Sequence, residues 1–133
     1  MVGRSEKSGA TRSGTVAGMR DSMKKATTEM LVLFLLKQRA MYAYEMLQEM
    51  ARLSEGVLQF NTLYIALYRL QDHGFVTPSE KVMTESNRTR VYFSITEAGL
   101  AYLKEIVAEY HLMTQTIDKM LQQDGHIYRE GCT

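Results

Sequence analysis

A helix followed by two strands is predicted by residues 61–96, which read NTLYIALYRLQDHGFVTPSEKVMTESNRTRVYFSIT. The first part has apolar residues at the three- and four-residue spacing of a helix. Asn61 is a good N-cap and Gly74 is a stop signal, so we predict a helix from Asn61 to about Asp72. Its core face comprises Leu63, Ala66, Leu67 and Leu70.

Two strands joined by a polar turn follow this helix. Phe75 to Met83 and Arg90 to Ile95 contain β-forming residues, and the second run alternates apolar and polar side chains. The polar residues 84–89 between them are typical of an exposed turn. Pro78 has no backbone N–H and is tolerated at the edge of a sheet, so we predict a hairpin whose first strand is an edge strand.

Two helices are predicted before this stretch. From about Arg20, with Asp21 or Ser22 as its cap, the pattern becomes helical, and the residues from Met30 to Leu36 are apolar on every side of that helix. A helix of this kind is buried on several faces, which in a small chain suggests cover from a second subunit. A second helix, Ala43 to Leu53, has its apolar residues on one face.

The last predicted helix is long and carries an apolar seam. Thr96 caps it and it runs to about Gln123, which gives a rod of roughly 40 Å. Its apolar residues alternate spacings of three and four, a heptad pattern that requires a partner helix, most simply from a second copy of the chain. The predicted dimer interface comprises Leu100, Leu103, Val107, Tyr110, Ile117 and Leu121, with Thr114 in the same register.

Three helices, a hairpin and a long helix are the order of a winged helix-turn-helix with an added dimerisation helix. We therefore predict a mainly α fold with a small β-hairpin. The predicted domains are a flexible arm at residues 1–19, a DNA-binding domain at residues 20–95, a dimerisation helix at residues 96–124 and a tail at residues 125–133.

Positive charge is concentrated at the start of the chain. The net charge is +1, yet the first forty residues hold eight Lys and Arg against three acidic residues. Such an end can approach a polyanion, although it could equally serve only to keep the chain in solution. The single cysteine, Cys132, and the lack of an apolar leader or of an apolar run of roughly 20 residues predict a cytoplasmic protein without a membrane span.

The third helix and the hairpin carry residue types that suit DNA. Asn and Arg side chains pair with adenine and guanine edges, and Thr and Ile contact the thymine methyl group. Arg88 and Arg90, two apart on a strand, point the same way and could clamp phosphates or enter a minor groove. A solvated helix face and solubilising turn charges are the alternatives. The predicted DNA-binding residues are Lys24, Lys25, Asn61, Thr62, Tyr64, Ile65, Tyr68, Arg69, Arg88 and Arg90.

Residues that could carry catalysis are sparse. His73, His111 and His126 are scattered, and none has a cysteine or carboxylate at metal-ligand spacing. The sequence has neither a glycine-rich phosphate loop nor a nucleophile elbow. We therefore predict no enzyme activity, no cofactor and no metal site.

Methionine is abundant, with ten residues. Methionine fills ordinary cores, and it also lines adaptable surfaces that bind small molecules. Core packing is the first interpretation of these residues. The alternative is a pocket for a small apolar or aromatic effector at the dimer interface, between the first and last helices, with the predicted lining Met30, Phe34, Tyr110 and Met113.

Three stretches resemble the PadR family of transcriptional regulators. Residues 33–46 are similar to the family's apolar first helix and its Gly-Tyr-Glu-Ile segment. Residues 61–70 resemble its recognition helix, Gly-Thr-Leu-Tyr-Pro-Ala-Leu-x-x-Leu. Residues 88–99 resemble its wing, Arg-x-Arg-x-Tyr-Tyr-x-Leu-Thr-x-x-Gly. The single helix after the wing is similar to the short subfamily.

The resemblance implies a dimeric bacterial repressor that responds to small aromatic or lipophilic molecules. It also implies that Thr62, Tyr64 and Arg69 face DNA and that Arg88 and Arg90 form the wing. The chain departs from the family pattern by having Ala43 and Asn61 in place of Gly and Ile65 in place of Pro, so a base preference does not carry over. It has no Trp, so Tyr and Met would have to form an effector surface.

The predicted function is that of a homodimeric repressor that binds an inverted repeat in double-stranded DNA and is relieved by the effector. The alternative is a winged-helix module that docks onto a protein, or holds a hydrophobic compound, without binding DNA. A near-neutral net charge favours that alternative.

Overall fold

A computed structural model describes residues 13–83, 85–86 and 89–128, with the side chains of residues 79–82 left out. Within these residues the chain forms four helices and three strands. Their order is α1 (Val16–Gln38), β1 (Met41–Tyr42), α2 (Ala43–Leu53), α3 (Tyr64–Asp72), β2 (Val76–Met83), β3 (Thr89–Ile95) and α4 (Glu97–Leu121). The mainly helical fold with a small antiparallel sheet agrees with the predicted class, and α2 has the predicted bounds.

The first helix begins earlier than predicted. It starts at Val16 rather than at about Arg20, because Thr15 caps it in place of Asp21 or Ser22. The Thr15 side chain accepts a hydrogen bond of 2.9 Å from the backbone N–H of Gly18. The last residues of the predicted flexible arm are therefore helical, while residues 1–12 lie outside the described part of the chain.

The third helix begins later than predicted, because Asn61 does not cap it. Leu63 occupies the N-cap position, and the Thr62 hydroxyl accepts a hydrogen bond of 3.3 Å from the backbone N–H of Tyr64. Leu63 is only 1% exposed, so its burial in the core fixes where the helix can start. Asn61 and Thr62 therefore lie in an exposed loop ahead of α3. Gly74, with a φ of +79°, follows α3 at the predicted stop.

A strand that the sequence did not predict, β1, completes the sheet. It pairs Met41 with Phe93 and Tyr42 with Tyr92, which gives the antiparallel order β1-β3-β2. Met41 and Phe93 are buried, so this short pairing joins the hairpin to the core. The strand β2 is an edge strand as predicted, and its pairing with β3 is irregular next to Pro78.

One apolar core connects the sheet with all four helices. Its most deeply buried side chains are Val32, Leu33, Met46, Leu63, Leu67, Leu70 and Val76. The last helix contributes Leu103, and Ile106 and Val107 pack against the same core. Beyond Val107 every residue of α4 is exposed except the half-buried Thr114, so the second half of this helix projects from the domain.

Hydrogen bonds at Thr96 connect the residues that follow α3 with the start of α4. The Thr96 hydroxyl donates a hydrogen bond of 2.7 Å to the carbonyl of Gly74 and accepts one of 3.0 Å from the N–H of Gly99, so it is the predicted cap. The N–H of Thr96 donates to the Phe75 carbonyl at 3.0 Å. The Phe75 ring stacks on Tyr102 at a centroid distance of 4.3 Å. These contacts fix the direction of α4 relative to α3.

We predict that Gly99→Ala destabilises the fold. A Cβ at this position would overlap the carbonyl oxygen of Phe75, which is backbone and cannot turn aside. The expected loss in the free energy of unfolding is about 1–3 kcal/mol, measured by urea denaturation. At an exposed helical position, replacing Gly by Ala stabilises a helix by about 1 kcal/mol. The control is the opposite change at the exposed Ala101, since Ala101→Gly should destabilise the protein by about this amount. A stabilised Gly99→Ala protein would contradict the close approach.

Candidate nucleic-acid interface

A solvent-open cleft lies between α3 and the β-hairpin. Its volume is about 490 Å³, and residues from the start of α2, from α3 and from the hairpin line it. Phenol, amide and guanidinium groups can all donate hydrogen bonds to an anion or to a base edge. The polar side chains that line the cleft include those of Tyr42, Tyr44, Tyr64, Tyr68, Gln71 and Arg90.

The predicted DNA-facing side of α3 is accessible. Tyr64, Ile65 and Tyr68 are 50%, 66% and 57% exposed, whereas Leu67 and Leu70 on the other side are fully buried. Tyr64 and Tyr68 are one helical turn apart, with ring centroids separated by 6.1 Å, and both line the cleft. The helix therefore divides cleanly into a core face and an aromatic outer face.

Arg69 lies away from the cleft. One of its guanidinium nitrogens is 3.7 Å from a carboxylate oxygen of Glu29 on α1. This predicted DNA-binding residue is exposed but already paired within the chain. Asn61 and Thr62 are exposed in the loop ahead of the helix rather than on the helix itself.

The hairpin brings Arg90 to the cleft. Its guanidinium carbon lies 4.4 Å from the centre of the Tyr42 ring, and the Tyr92 ring meets Tyr42 edge-on at a centroid distance of 5.4 Å. Arg88, the other predicted wing residue, lies outside the described residues. Tyr42 was not among the predicted residues, because only the pairing of β1 with β3 places it here.

The two lysines predicted to bind DNA lie on different sides of α1. The Lys24 ammonium is 5.1 Å from the centre of the Phe60 ring, just ahead of the loop that leads into α3. Lys25 instead lines a groove between α1 and α4. Lys24 is therefore close to the predicted interface, and Lys25 belongs to a different surface.

The groove between α1 and α4 contains most of the predicted effector pocket. Its volume is about 510 Å³, and its lining includes Met30, Tyr110 and Met113. The structure does not bring Phe34 together with them, because Phe34 lines a separate groove of about 200 Å³ with residues of α2 and of the following loop. Leu31 and Leu35 of α1 line this second groove together with Met50 and Leu53 of α2, so Phe34 is separated from the other three residues.

Part of the predicted dimer seam packs against the core of its own chain. Leu103 is 5% exposed and belongs to the core, and Val107 packs against that core, so Leu103 is not free to contact a partner. The heptad spacing of α4 thus arises in part from packing against the rest of its own domain. The exposed members of the seam are Leu100, Tyr110, Ile117 and Leu121, which are 41%, 36%, 47% and 69% exposed.

Two other kinds of site were sought in the part of the chain that the structure describes. No group of three or more His, Cys, Asp or Glu side chains there is arranged to hold a metal ion. Likewise, no helix within that part is both long and apolar enough to cross a membrane.

The model of the PadR-like family of transcriptional regulators matches residues 32–105, which run from α1 through the sheet into α4. This range is more than half of the chain. The chain belongs to the PadR-like family. Its members are transcriptional regulators rather than enzymes, and the cleft between α3 and the hairpin lies within the matched range.

Solved structures share the PadR-like fold. A PadR family transcriptional regulator from Eggerthella lenta is 29% identical, with a TM-score of 0.69, and the match covers 80% of this chain and 91% of that one. A transcriptional regulator from Clostridium thermocellum is 25% identical, with a TM-score of 0.65 and coverage of 74% and 96%. An uncharacterised protein from Lysinibacillus sphaericus is 26% identical over 106 residues, which cover 78% of this chain and 96% of the relative.

Proposed function

We propose that this PadR-like regulator is a homodimeric repressor that binds an inverted repeat in DNA through α3 and the hairpin. The aromatic outer face of α3 beside Arg90 is the observation that carries the proposal, because it offers base-edge and phosphate contacts on one side of the domain. Each α3 would enter a major groove, and the two half-sites would lie about one helical turn apart. Such a repressor would act in the bacterial cytoplasm, where the DNA lies.

The side-chain partners of the arginines support the hairpin as the part of the interface that supplies positive charge. Arg39 pairs with Glu45 at 2.7 Å and Arg52 pairs with Glu49 at 2.6 Å. The Arg52 hydrogen bond holds the pKa of the Glu49 carboxyl below its ordinary value. Arg90 contacts the Tyr42 ring instead, and among the described side chains no carboxylate is paired with it.

We predict that Arg88→Ala combined with Arg90→Ala flattens the salt dependence of DNA binding. Each phosphate contact contributes a slope of about −0.9 to log K against log salt, so two lost contacts remove about two units per subunit. The probe is a duplex of about three helical turns, selected by the wild-type protein from a random pool and titrated by fluorescence anisotropy. Arg52→Ala is the matched control, because its arginine is already paired on α2.

An unchanged slope in the double variant would remove the hairpin from the interface. A wild-type protein that selects no duplex at low salt, yet still dimerises, would instead identify a module that docks onto a protein or holds a hydrophobic compound.

The projecting half of α4 supports the dimer. Its exposed apolar side chains include Leu112, Met113, Ile117, Met120 and Leu121, each 47–69% exposed. An apolar surface this continuous is costly to leave in water, and a second α4 is the simplest cover. Of the exposed seam residues, Tyr110, Ile117 and Leu121 lie on this half, whereas Leu100 lies in the first turn of α4.

We predict that Ile117→Lys together with Leu121→Lys converts the dimer to a monomer, because two charges would face the same residues of the partner. Sedimentation velocity at micromolar concentration measures the change. Glu105→Lys is the control, since Glu105 is an exposed polar residue of α4 outside the seam. A wild-type protein that sediments as a single chain without DNA would contradict the proposed dimer.

The lining of the groove between α1 and α4 supports the proposal that an apolar or aromatic effector binds there. Met30, Tyr110 and Met113 give it a largely apolar wall on the helix that we propose holds the dimer together. A molecule bound there would change the packing of the two α4 helices against each other. The distance between the two α3 helices would change as a result, which is allostery by rigid-body displacement.

We predict that Met113→Lys abolishes binding of the neutral fluorescent dye Nile red, whereas Phe34→Lys leaves it unchanged. The charge enters the α1–α4 groove in the first variant and the smaller groove in the second. Dye fluorescence measures binding, and sedimentation of both variants separates loss of the groove from loss of the dimer. Equal loss of fluorescence in the two dimeric variants would contradict this location.

A further inference from the structure

The pairing of β1 with β3 places an aromatic ring beside the hairpin arginine. Tyr42 lies directly opposite Tyr92 in the antiparallel register. Arg90 precedes Tyr92 by two residues, so the two side chains leave the same face of β3. Arg90 is therefore the diagonal cross-strand neighbour of Tyr42, a distance that a long side chain spans.

The contacts match this register. The guanidinium of Arg90 stands over the face of the Tyr42 ring at 4.4 Å from its centre. The Tyr42 ring also contacts the Tyr92 ring in a T-shaped arrangement, with the two planes at 70°. The Tyr42 ring is thus held from one side by a strand neighbour while its face carries the cation. A cation over a ring face at this distance is an attractive arrangement.

Stacking differs from ion pairing in what it leaves for a ligand. The N–H donors of a guanidinium lie in its own plane, so a ring that covers one face does not occupy them. A carboxylate partner, by contrast, uses the donors and cancels the charge. The Tyr42 ring does not cancel the charge of Arg90 as a carboxylate would, and both residues line the cleft beside α3.

We propose that Tyr42 is a positioning residue for DNA binding, which holds the Arg90 guanidinium at the cleft in the orientation that a phosphate requires. The inference rests on the proposed DNA-binding function. A free arginine loses many rotamers when it binds, and a stacked one has lost them beforehand, so the stack favours the complex. The two-residue strand β1 thereby takes part in the interface without contacting DNA.

The test is a double-mutant cycle with Tyr42→Leu and Arg90→Ala, read as the dissociation constant for the duplex selected by the wild-type protein. Tyr42→Leu is expected to weaken binding by about three- to tenfold, and Tyr42→Phe, which keeps the ring, by less than about twofold. When Arg90 is already alanine, Tyr42→Leu is expected to have no further effect. Tyr128→Leu, at an exposed tyrosine far along the chain, is the matched control and should bind as the wild type does.

Three results would overturn the inference. If Tyr42→Leu weakens binding equally with and without Arg90, Tyr42 acts through the fold or on DNA directly. If Tyr42→Phe is as weak as Tyr42→Leu, the hydroxyl rather than the ring is responsible. If Arg90→Ala weakens binding and Tyr42→Leu does not, the arginine needs no positioning. A failure of the proposed function is distinct, because the wild-type protein would then bind no duplex and the cycle would have no starting point.

Discussion

A single hydroxyl group links the long helix α4 to the end of α3, which lines the candidate cleft. Thr96 hydrogen-bonds at once to the carbonyl that follows α3 and to the first turn of α4. Gly99 completes this joint, because without a Cβ the helix can approach the backbone of Phe75. The joint contains no linker, so a rotation of α4 moves the end of α3 and the start of β2 with it.

The arginines of this chain illustrate two ways in which a protein can order a cation. Arg39 and Arg52 are fixed by carboxylates, which neutralise them and confine them to a structural role. Arg90 instead contacts an aromatic ring, which has no negative charge to neutralise the guanidinium. The nature of the partner, rather than exposure alone, thus separates cations that stabilise a helix from cations that are available to a polyanion.

The sequence is sufficient to predict a feature of a helix or strand where a single residue type determines that feature. Thr96 was predicted correctly as a cap, and Pro78 correctly marked an edge strand. The start of α3 was wrong, because the burial of Leu63 in the tertiary core prevails over the capping preference of Asn61. Leu103 was assigned to a dimer seam, because a heptad pattern does not reveal whether the surface it meets belongs to the same chain.

The sequence predicts the residues that α3 contributes to the candidate site, but only some of the residues at and beside the hairpin. Tyr64 and Tyr68 follow from helical spacing once the core face is known, and both line the cleft. Tyr42 could not be found in this way, because a two-residue strand has no alternation, and its contact with Arg90 depends on a long-range register. Long-range pairings of this kind leave no periodic trace in a sequence.

The edge strand has a consequence for the protein in a crowded cell. An unpaired strand edge is a template on which another chain can add a strand and begin a fibril. Pro78 offers no N–H for such an addition, and the irregular pairing beside it interrupts the regular course of β2. The β2 edge is thereby a poorer template for another strand, and the opposite edge of the sheet offers only the two residues of β1.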